Sequence, residues 1–570
     1  MSLFGSIQLG GNTLQAMQIG LQVTGNNIAN ANTPGFIRQE AVFKPAPVQN
    51  IGGLVLGLGV QVDGIVQQID KFVQDRLVGA KGDRAGADIQ QQAYNEVETV
   101  LNGLSGTTDL STSLTTFINS IQGVLGDQNS SATRNLVINN GDALAKNIAN
   151  LSSRVTSIQK EYNDRIDASA DEINTLTKQI SQLNVQIATV EGGGSSASDA
   201  GGLRVQRQKA IDRLSEIAGI KVTEQPSGGV NISVGGDFLV FEGQRREVAV
   251  KQVNDGGDIK DTIQFVASKS PLTTSTGELA GEYAARDQIS GNFLDGLDKL
   301  SASLIFEFNK QYSQGQGSEG FSDLTSVNAV TNADAPLENA GLDFTPVNGQ
   351  FDFIVYNKNQ KTSQTHTISV HLFGQDDDTT LNTLASQIDA IDGVSAKVTS
   401  SGKLQITSDS SDTQFAFSGD NSGSLAALGI NTFFTGSTAR DIAVNPELLG
   451  GDNDAKFAAS AGGLGPGQDT GNAEQLAAFL DKPLDSAGGT TLPDVYDKLV
   501  NSVSQGATVA KSTADGFETF ENTLNGQLQA VSGVSIDDEA IQLLTLQHIY
   551  QASAKFIQTA ASLLDTLVQL

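Results

Sequence analysis

The side chains of this 570-residue sequence whose types could do chemistry are few and badly spaced for it. There are three histidines. His366 and His371 sit in strand-like sequence, and His548 lies between the apolar positions Leu546 and Tyr550. None has a histidine, aspartate or glutamate at ligand spacing, so surface or rim positions are the reading, not metal ligation or catalysis. Asp376-Asp377-Asp378 offers carboxylates to calcium, yet without the oxygen spacing of a calcium loop it reads as a solvated turn. Gly192–Gly202 lacks a Lys-Ser or Lys-Thr in phosphate-loop position and reads as a linker. Gly57-Leu58-Gly59 is followed by Val62 where a dinucleotide fingerprint needs glycine. The absence of cysteine removes disulfides, thiolate metal sites and cysteine nucleophiles together. The expectation is a chain with no catalytic, cofactor-binding or metal residue, hence not an enzyme.

The elements left to explain are structural. A length of 570 residues exceeds one ordinary core and implies several domains. A net charge of -29 argues against nucleic acid, since no basic surplus exists to neutralise phosphates, and against acidic membrane surfaces. No stretch approaches the roughly 18 apolar residues of a membrane helix. The first basic residue is Arg38 and no apolar run follows Met1, so export, if it occurs, is expected to use a route other than a cleaved signal peptide.

Proline, which breaks helix interiors, is missing between Pro47 and Pro226, and glycine is missing from Asp142 to Glu191. Within that window Leu144, Ile148, Leu151, Val155, Ile158 and Tyr162 alternate spacings of four and three. Ile166, Ser169, Ile173, Leu176, Ile180, Leu183, Ile187 and Val190 continue the rule after one extra step of four. This is a heptad seam with a stutter, the pattern of a long helix packed side by side with others. Short alternating strands follow, as in Val230–Val234 and Phe238–Phe241, and again in Phe351–Tyr356 and Thr367–Leu372. Helical patterning returns around Gly277–Tyr312 and from about Asn472 onward.

Both ends carry helix seams. Leu543, Leu546, Tyr550, Ser553, Ile557, Ala560, Leu564 and Leu567 repeat with three–four spacing, and Ile549, Phe556, Leu563 and Leu570 widen the face. Ser535 with Asp538 reads as a capping-box variant, and Asp537 and Glu539 suit the helix dipole. Phe4, Ile7, Gly11, Leu14, Gln18, Leu21, Gly25 and Ile28 follow the same rule at the other end. Matching seams imply that the two ends pack on each other. Pro34-Gly35 suits a type II turn, so Asn26–Phe36 reads as helix, sharp turn, extended segment.

Asn26–Phe36 resembles the amino-terminal signature of the axial proteins of the bacterial flagellum (rod, hook and hook-associated proteins), at Asn27, Ile28, Asn30, Thr33, Gly35 and Phe36. Gly57–Ile65 with Asp70 and Phe72, Gly277–Gly281 with Arg286-Asp287, Asp469–Ala473, and Val531–Glu539 resemble segments of its hook-associated branch at the hook–filament junction. Leu381–Ile406 is similar to a small repeat of hook and filament proteins. Gln67 and Ile69 depart from the family's usual arginine and aromatic residue.

The resemblance implies a multidomain α+β fold: a terminal α-helical coiled-coil stem from both chain ends, with inserted β-rich domains. The expected parts are helix 1–33 paired with helix 535–570, an extended linker 34–70, and a long-helix rod domain 71–218 completed by 277–315 and 470–534. A small β domain 219–276 and an inserted β-rich domain 340–440 complete the set. The implied function is a secreted structural protein of flagellum assembly and motility, forming the hook–filament junction. The implied partners are further copies in a ring or helical layer, hook protein, a second junction protein and a cytoplasmic export chaperone. The implied location is extracellular, on the flagellum, reached through the flagellar secretion channel. Assembly residues carried over are Asn27, Ile28, Asn30, Thr33, Gly35, Phe36, Leu543, Leu546, Tyr550, Ile557 and Leu564. The alternative within the family is a hook or distal rod subunit; a secreted enzyme or an adhesin are alternatives outside it.

Overall fold

The computed structural model describes residues 3–33, 35–51, 54–102, 109–127, 130–192, 197–255, 258–450, 453–461 and 469–569. Pro34, part of the Gly192–Gly202 linker and Leu570 lie outside the described residues. Helices are α1 (Leu3–Ala29), α2 (Lys71–Asn102), α3 (Leu110–Gly126), α4 (Ser131–Val190), α5 (Gly201–Ala218), α6 (Glu278–Tyr283), α7 (Gly291–Tyr312), α8 (Leu381–Asp389), α9 (Ser424–Leu428), α10 (Gly471–Ala477), α11 (Leu492–Ser532) and α12 (Ile536–Val568). A π-helical turn, Ala284–Ser290, joins α6 to α7. The fold is α+β, with long helices at both ends of the chain and antiparallel sheets between them.

Helix α4 has 60 residues, which at 1.5 Å per residue is about 90 Å. Its heptad positions explain its persistence. From Leu144 to Ile187 every seam residue is buried except Leu176, which is half-buried, while Val190 stands exposed at the helix end.

Two compact units form, each from discontinuous stretches. The first comprises Met1–Gln92, Lys160–Arg286 and Thr508–Leu570. In it, β1 (Gln39–Pro45) pairs antiparallel with β4 (Val60–Gln67), and β2 (Val48–Ile51) with β3 (Leu54–Gly57). The stretch read as an extended linker is thus folded back into a two-stranded ribbon. A four-stranded meander follows, β5 (Lys221–Glu224), β6 (Val230–Val234), β7 (Asp237–Phe241) and β8 (Gln244–Arg245), then a hairpin of β9 (Val248–Asp255) and β10 (Asp258–Phe265). Ile173 and Ile180 of α4, Leu214 of α5, Ile232, Leu239 and Phe265 meet in one core. Alternation on the strands supplies one wall and the heptad seam the other.

The second unit comprises Ala93–Gln159 and Asp287–Ala507. One sheet is β11 (Asp323–Thr325), β15 (Leu404–Ser408) and β14 (Val394–Val398). Another is β13 (Thr362–Val370), β12 (Gly349–Asn357) and β16 (Thr413–Ser418), and β17 (Phe434–Thr435) pairs with β18 (Ala443–Val444). Phe351, Phe353, Phe415 and Phe417 fill the core between the sheets and α8. A separate aromatic cluster joins Phe117 of α3, Phe308 and Tyr312 of α7, Phe433 and Phe434. Gly141 of α4 is small because of it: a Cβ there would lie 2.5 Å from Phe433.

Candidate assembly interface

Three segments that are distant in sequence, the amino-terminal signature, the ribbon and the first turn of α12, are fastened together in the first unit. Asn27, almost fully buried, donates through Nδ2 to the Gln39 carbonyl at 2.8 Å and to Glu539 Oε2 at 3.1 Å. Its Oδ1 accepts from Gln39 N–H at 3.0 Å. Glu539 is only 1% exposed and accepts from Arg38 Nε at 2.6 Å. Arg38 also donates through Nη2 to Gln542 and through its backbone N–H to the Ser532 carbonyl. One buried carboxylate thus joins a guanidinium and an amide across roughly the whole chain, an arrangement in which every strong acceptor is used.

The turn between them takes its shape from glycine. Phe36 N–H donates to the Thr33 carbonyl at 3.1 Å, and Gly35 has φ +75°, as the third residue of a type II turn requires. Asn30 closes the helix end, donating to the Asn26 carbonyl and accepting from the Thr33 hydroxyl. Ile28 and Phe36 are half-buried. Gly59 has φ +90° and would place a Cβ 2.8 Å from the Leu9 carbonyl, so only glycine lets the ribbon lie on α1. Asn12 reinforces the contact by donating to the Leu58 carbonyl. Of the two glycines in Gly57-Leu58-Gly59, Gly59 therefore serves backbone approach, while Gly57 faces open space.

The carboxyl-terminal seam faces α1. Leu546 is buried with Ala16 and Met17, flanked by Phe43, Val60 and Val62. Leu543, Ile557 and Leu564 are half-buried, whereas Tyr550 is exposed. The amino-terminal seam differs from the sequence reading. The row Phe4, Gly11, Gln18 does not face α12, and Phe4 is 74% exposed. The buried face is instead Gly10, Ala16, Met17, Gly20, Val23, Thr24 and Asn27. A Cβ on Gly10 would lie 2.5 Å from Ile557, and one on Gly20 3.2 Å from Leu546, while Gly11 and Gly25 face open space. Small residues win because they let the helix backbones approach, a preference that counting apolar residues misses.

Beside the knot opens a groove of about 890 Å³, lined among others by Thr33, Gly35, Phe36, Leu77, Leu528 and Val534. Ser535 caps α12 by accepting from Asp538 N–H at 3.3 Å. The signature residues and the α12 seam are brought to one unit, but Tyr550, Ile557 and Leu564 lie further along the helix than the knot. Arg38 and Glu539 were not read as a pair. The only hint in sequence was that Arg38 is the first basic residue of the chain.

Elsewhere, His371 and His548 are exposed and His366 is half-buried in β13 opposite Phe353. No group of three or more histidines or carboxylates able to hold a metal occurs among the described residues. Asp378 accepts from the backbone N–H groups of Phe373, Gly374 and Gln375, which holds its carboxyl below the usual range. That geometry makes it a turn-former. Glu282, buried beside the Ser169 hydroxyl, is pushed up to about 7, chiefly by burial.

Comparison with known proteins bears on what such a fastened pair of chain ends is for. Residues 94–324 match the flagellar hook-associated protein FlgK helical domain. Residues 7–36 match the flagella basal body rod protein family, and 527–570 the flagellar basal body rod FlgEFG protein C-terminal family. Flagellar hook-associated protein 1 of Escherichia coli (strain K12) is 24% identical, and that of Salmonella typhimurium 26%, each over 98% of this chain and 98% of the relative. The chain belongs to the flagellar hook-associated protein 1 family. The Bacillus subtilis protein of that name is 24% identical over the whole of this chain and 98% of its own length. A solved structure, that of the flagellar hook junction protein FlgK from Burkholderia pseudomallei, matches with a TM-score of 0.48 at 15% identity, covering 80% of this chain and 100% of that one.

The family makes this chain a structural subunit of the flagellum. The rod-type matches at both ends are shared across axial proteins, and the helical-domain match between them selects the hook-associated branch over a hook or distal rod subunit. No helix among the described residues is long and apolar enough to cross a membrane.

Proposed function

We propose that this protein joins hook to filament, forming a layer of identical subunits on the hook upon which filament assembly depends. The observation that carries the reading is full-length similarity to flagellar hook-associated protein 1 together with a two-ended helix pair whose outward faces remain apolar. Phe4 on α1, and Ile549, Phe556 and Leu563 on α12, stand exposed. Contiguous apolar faces of this kind belong against another subunit. Repulsion between copies of net charge -29 is screened beyond about a Debye length, so contact between apolar faces can still drive assembly. The assembly residues are Asn27, Ile28, Asn30, Thr33, Gly35 and Phe36 as the part that sets the shape of the joint, and Leu543, Leu546, Tyr550, Ile557 and Leu564 as the helical part. Partners are hook protein below, a second junction protein above and an export chaperone inside the cell. The location is extracellular, after passage through the flagellar secretion channel. The long helices with 277–315 and 470–534 act as the rod domain, and the regions 219–276 and 340–440 as its β insertions.

A clean deletion of the gene tests this. The expected result is hooks without filaments and flagellin shed into the medium, with tagged protein restored to the hook end on complementation. Normal filaments on the deletion strain would remove the assignment.

A further inference from the structure

The outer half of the β9–β10 hairpin stands clear of the core of the first unit. Residues 251–254 of β9 and Ile259 of β10 are exposed, whereas Asp261, Ile263 and Phe265 point inward and are buried. Two asparagines of α4 pin this arm. At its base Asn174 donates to the Val248 carbonyl at 2.8 Å and accepts from Val248 N–H at 3.0 Å. Further out, Asn163 Oδ1 accepts from Asp261 N–H at 2.8 Å, and Asn163 Nδ2 donates to Asp261 Oδ2. Arg286 Nη1 supports the outer pin by donating to the Asp261 carbonyl at 2.6 Å and to Asn163 Oδ1 at 3.0 Å.

The outer pin leaves one carboxylate oxygen over. Asp261 is 2% exposed, and its Oδ1 is buried with no hydrogen-bond donor. Asp167, one helical turn beyond Asn163 on α4, meets it in hydrogen-bonding contact, and its own Oδ1 is also buried without a donor. Two carboxylates so placed cannot both stay ionised unless a cation lies between them. Their surroundings supply none. The charges that bear on Asp167 are Asp261 and, on its own helix, the exposed Asp164 and Asp171. Across the hairpin Asp261 is opposite the neutral Gln252, and strand alternation turns Lys260 to the other face. Arg286 Nη1 reaches a carbonyl and an amide, and Glu282 of α6 is engaged with the Ser169 hydroxyl. Burial, and then the Asp261 charge beside it, holds the Asp167 carboxyl above its usual range.

We propose that a proton shared between Asp167 and Asp261 latches the β9–β10 arm against α4, and that loss of this proton lets the arm swing outward about the Asn174–Val248 pin. Protonated Asp167 donates to Asp261, whereas two carboxylates repel across the same gap where little water screens them. The closed arm holds a proton that the open arm releases. Closure is therefore favoured at low pH and is lost as pH rises through the raised value. The surface presented by the arm, with Val253 and Ile259 exposed on it, then depends on pH.

The chain has no cysteine, so Lys160→Cys on α4 and Ile259→Cys on the arm, both at exposed positions, confine nitroxide labels to those two places in the full-length protein. Double electron–electron resonance should give one distance at about pH 5, and at about pH 8 a second, longer one whose fraction has grown severalfold. Asp167→Asn offers Asp261 an amide donor at every pH and should keep the single distance under both conditions. Glu282→Gln should leave the response of the arm in place, because that carboxyl bonds Ser169 on α4. Distances that do not change between the two pH values, or that still change in Asp167→Asn, overturn the latch. Loss of the response in Glu282→Gln assigns it to that residue and overturns the latch as well. So does an arm that closes at about pH 8 when calcium is added and is open without it at both pH values, since a metal ion and not a proton would then join the carboxylates.

Discussion

At the scale of single residues, two buried carboxylates act in opposite senses. Glu539 is fully satisfied by Arg38 and Asn27, so removing it strands a half-buried guanidinium and an amide donor. Glu539→Ala should lower stability by about 2–4 kcal/mol, and Glu539→Gln by less because a hydrogen bond to Asn27 survives. Urea titration of the purified chain measures both, and a loss below 0.5 kcal/mol, about the range of an ordinary surface change, would show the knot to be incidental. Glu282 is raised to about 7 by burial, against its usual 4.5. The folded state then holds a proton that the unfolded chain releases, so stability falls as pH rises from about 4.5 to 7 and is level above that. Glu282→Gln should accordingly melt at a higher temperature than wild type at pH 8 and at nearly the same temperature at pH 4.5. Scanning calorimetry at both values checks it; a difference independent of pH would show that folding does not raise the Glu282 carboxyl. Neither role was legible in sequence. Glu539 read as a dipole partner, because nothing in a pattern of spacings links it to an arginine 501 positions away.

Among the elements, what repeats was legible and what merely touches was not. The heptad series announced α4 because the same spacing that marks a seam dictates which residues are buried. The strand regions showed by alternation. The ribbon of β1–β4 did not, since its pairing is set by Gly59 against the Leu9 carbonyl and by Asn12, contacts with another element. The α1 face was misread for a related reason: Gly10 and Gly20 matter for what they lack. Gly10→Leu or Gly20→Leu should separate α1 from α12 and abolish motility on soft agar, while Gly11→Ala and Gly25→Ala, which meet open space, should stabilise α1 by up to about 1 kcal/mol. Motile Gly10→Leu cells would show that the helices need not lie this close. Leu546→Asp with Ile557→Asp attacks the same face from α12. An unpaired carboxylate buried there costs several kcal/mol, so junctions should fail while the β-rich regions keep their circular dichroism. Assembled junctions in this variant would remove the seam from the interface.

For the whole molecule, the question is when the terminal helices become ordered. Leu546 is the large apolar side chain of α12 that is fully covered by α1 and the ribbon, and the half-buried Leu543, Ile557 and Leu564 add to it. Against these stand Ile541, Leu544, Ile549, Phe556, Leu563, Leu567 and Val568, all exposed, with Val568 at 76%. Each large side chain left in water forgoes about 1.5–3 kcal/mol relative to burial. Fixing the backbone meanwhile costs about 1–2 kcal/mol per residue whether or not the side chain is covered. The first turn escapes this deficit through Ser535 and Glu539, so order should begin at the knot and decline toward residue 568. A lone helix of this length is marginal in water, and one neighbour covers only a narrow stripe of it. Neighbouring subunits that bury the Ile549–Phe556–Leu563 row would supply what is missing. Amide hydrogen exchange on the purified monomer should therefore show residues 545–568 exchanging within seconds to minutes while 536–542 and the cores of both units stay protected for far longer. The same residues should become protected in isolated flagella. Strong protection of 545–568 in the monomer would mean that α1 alone suffices and that the exposed row is not what assembly buries.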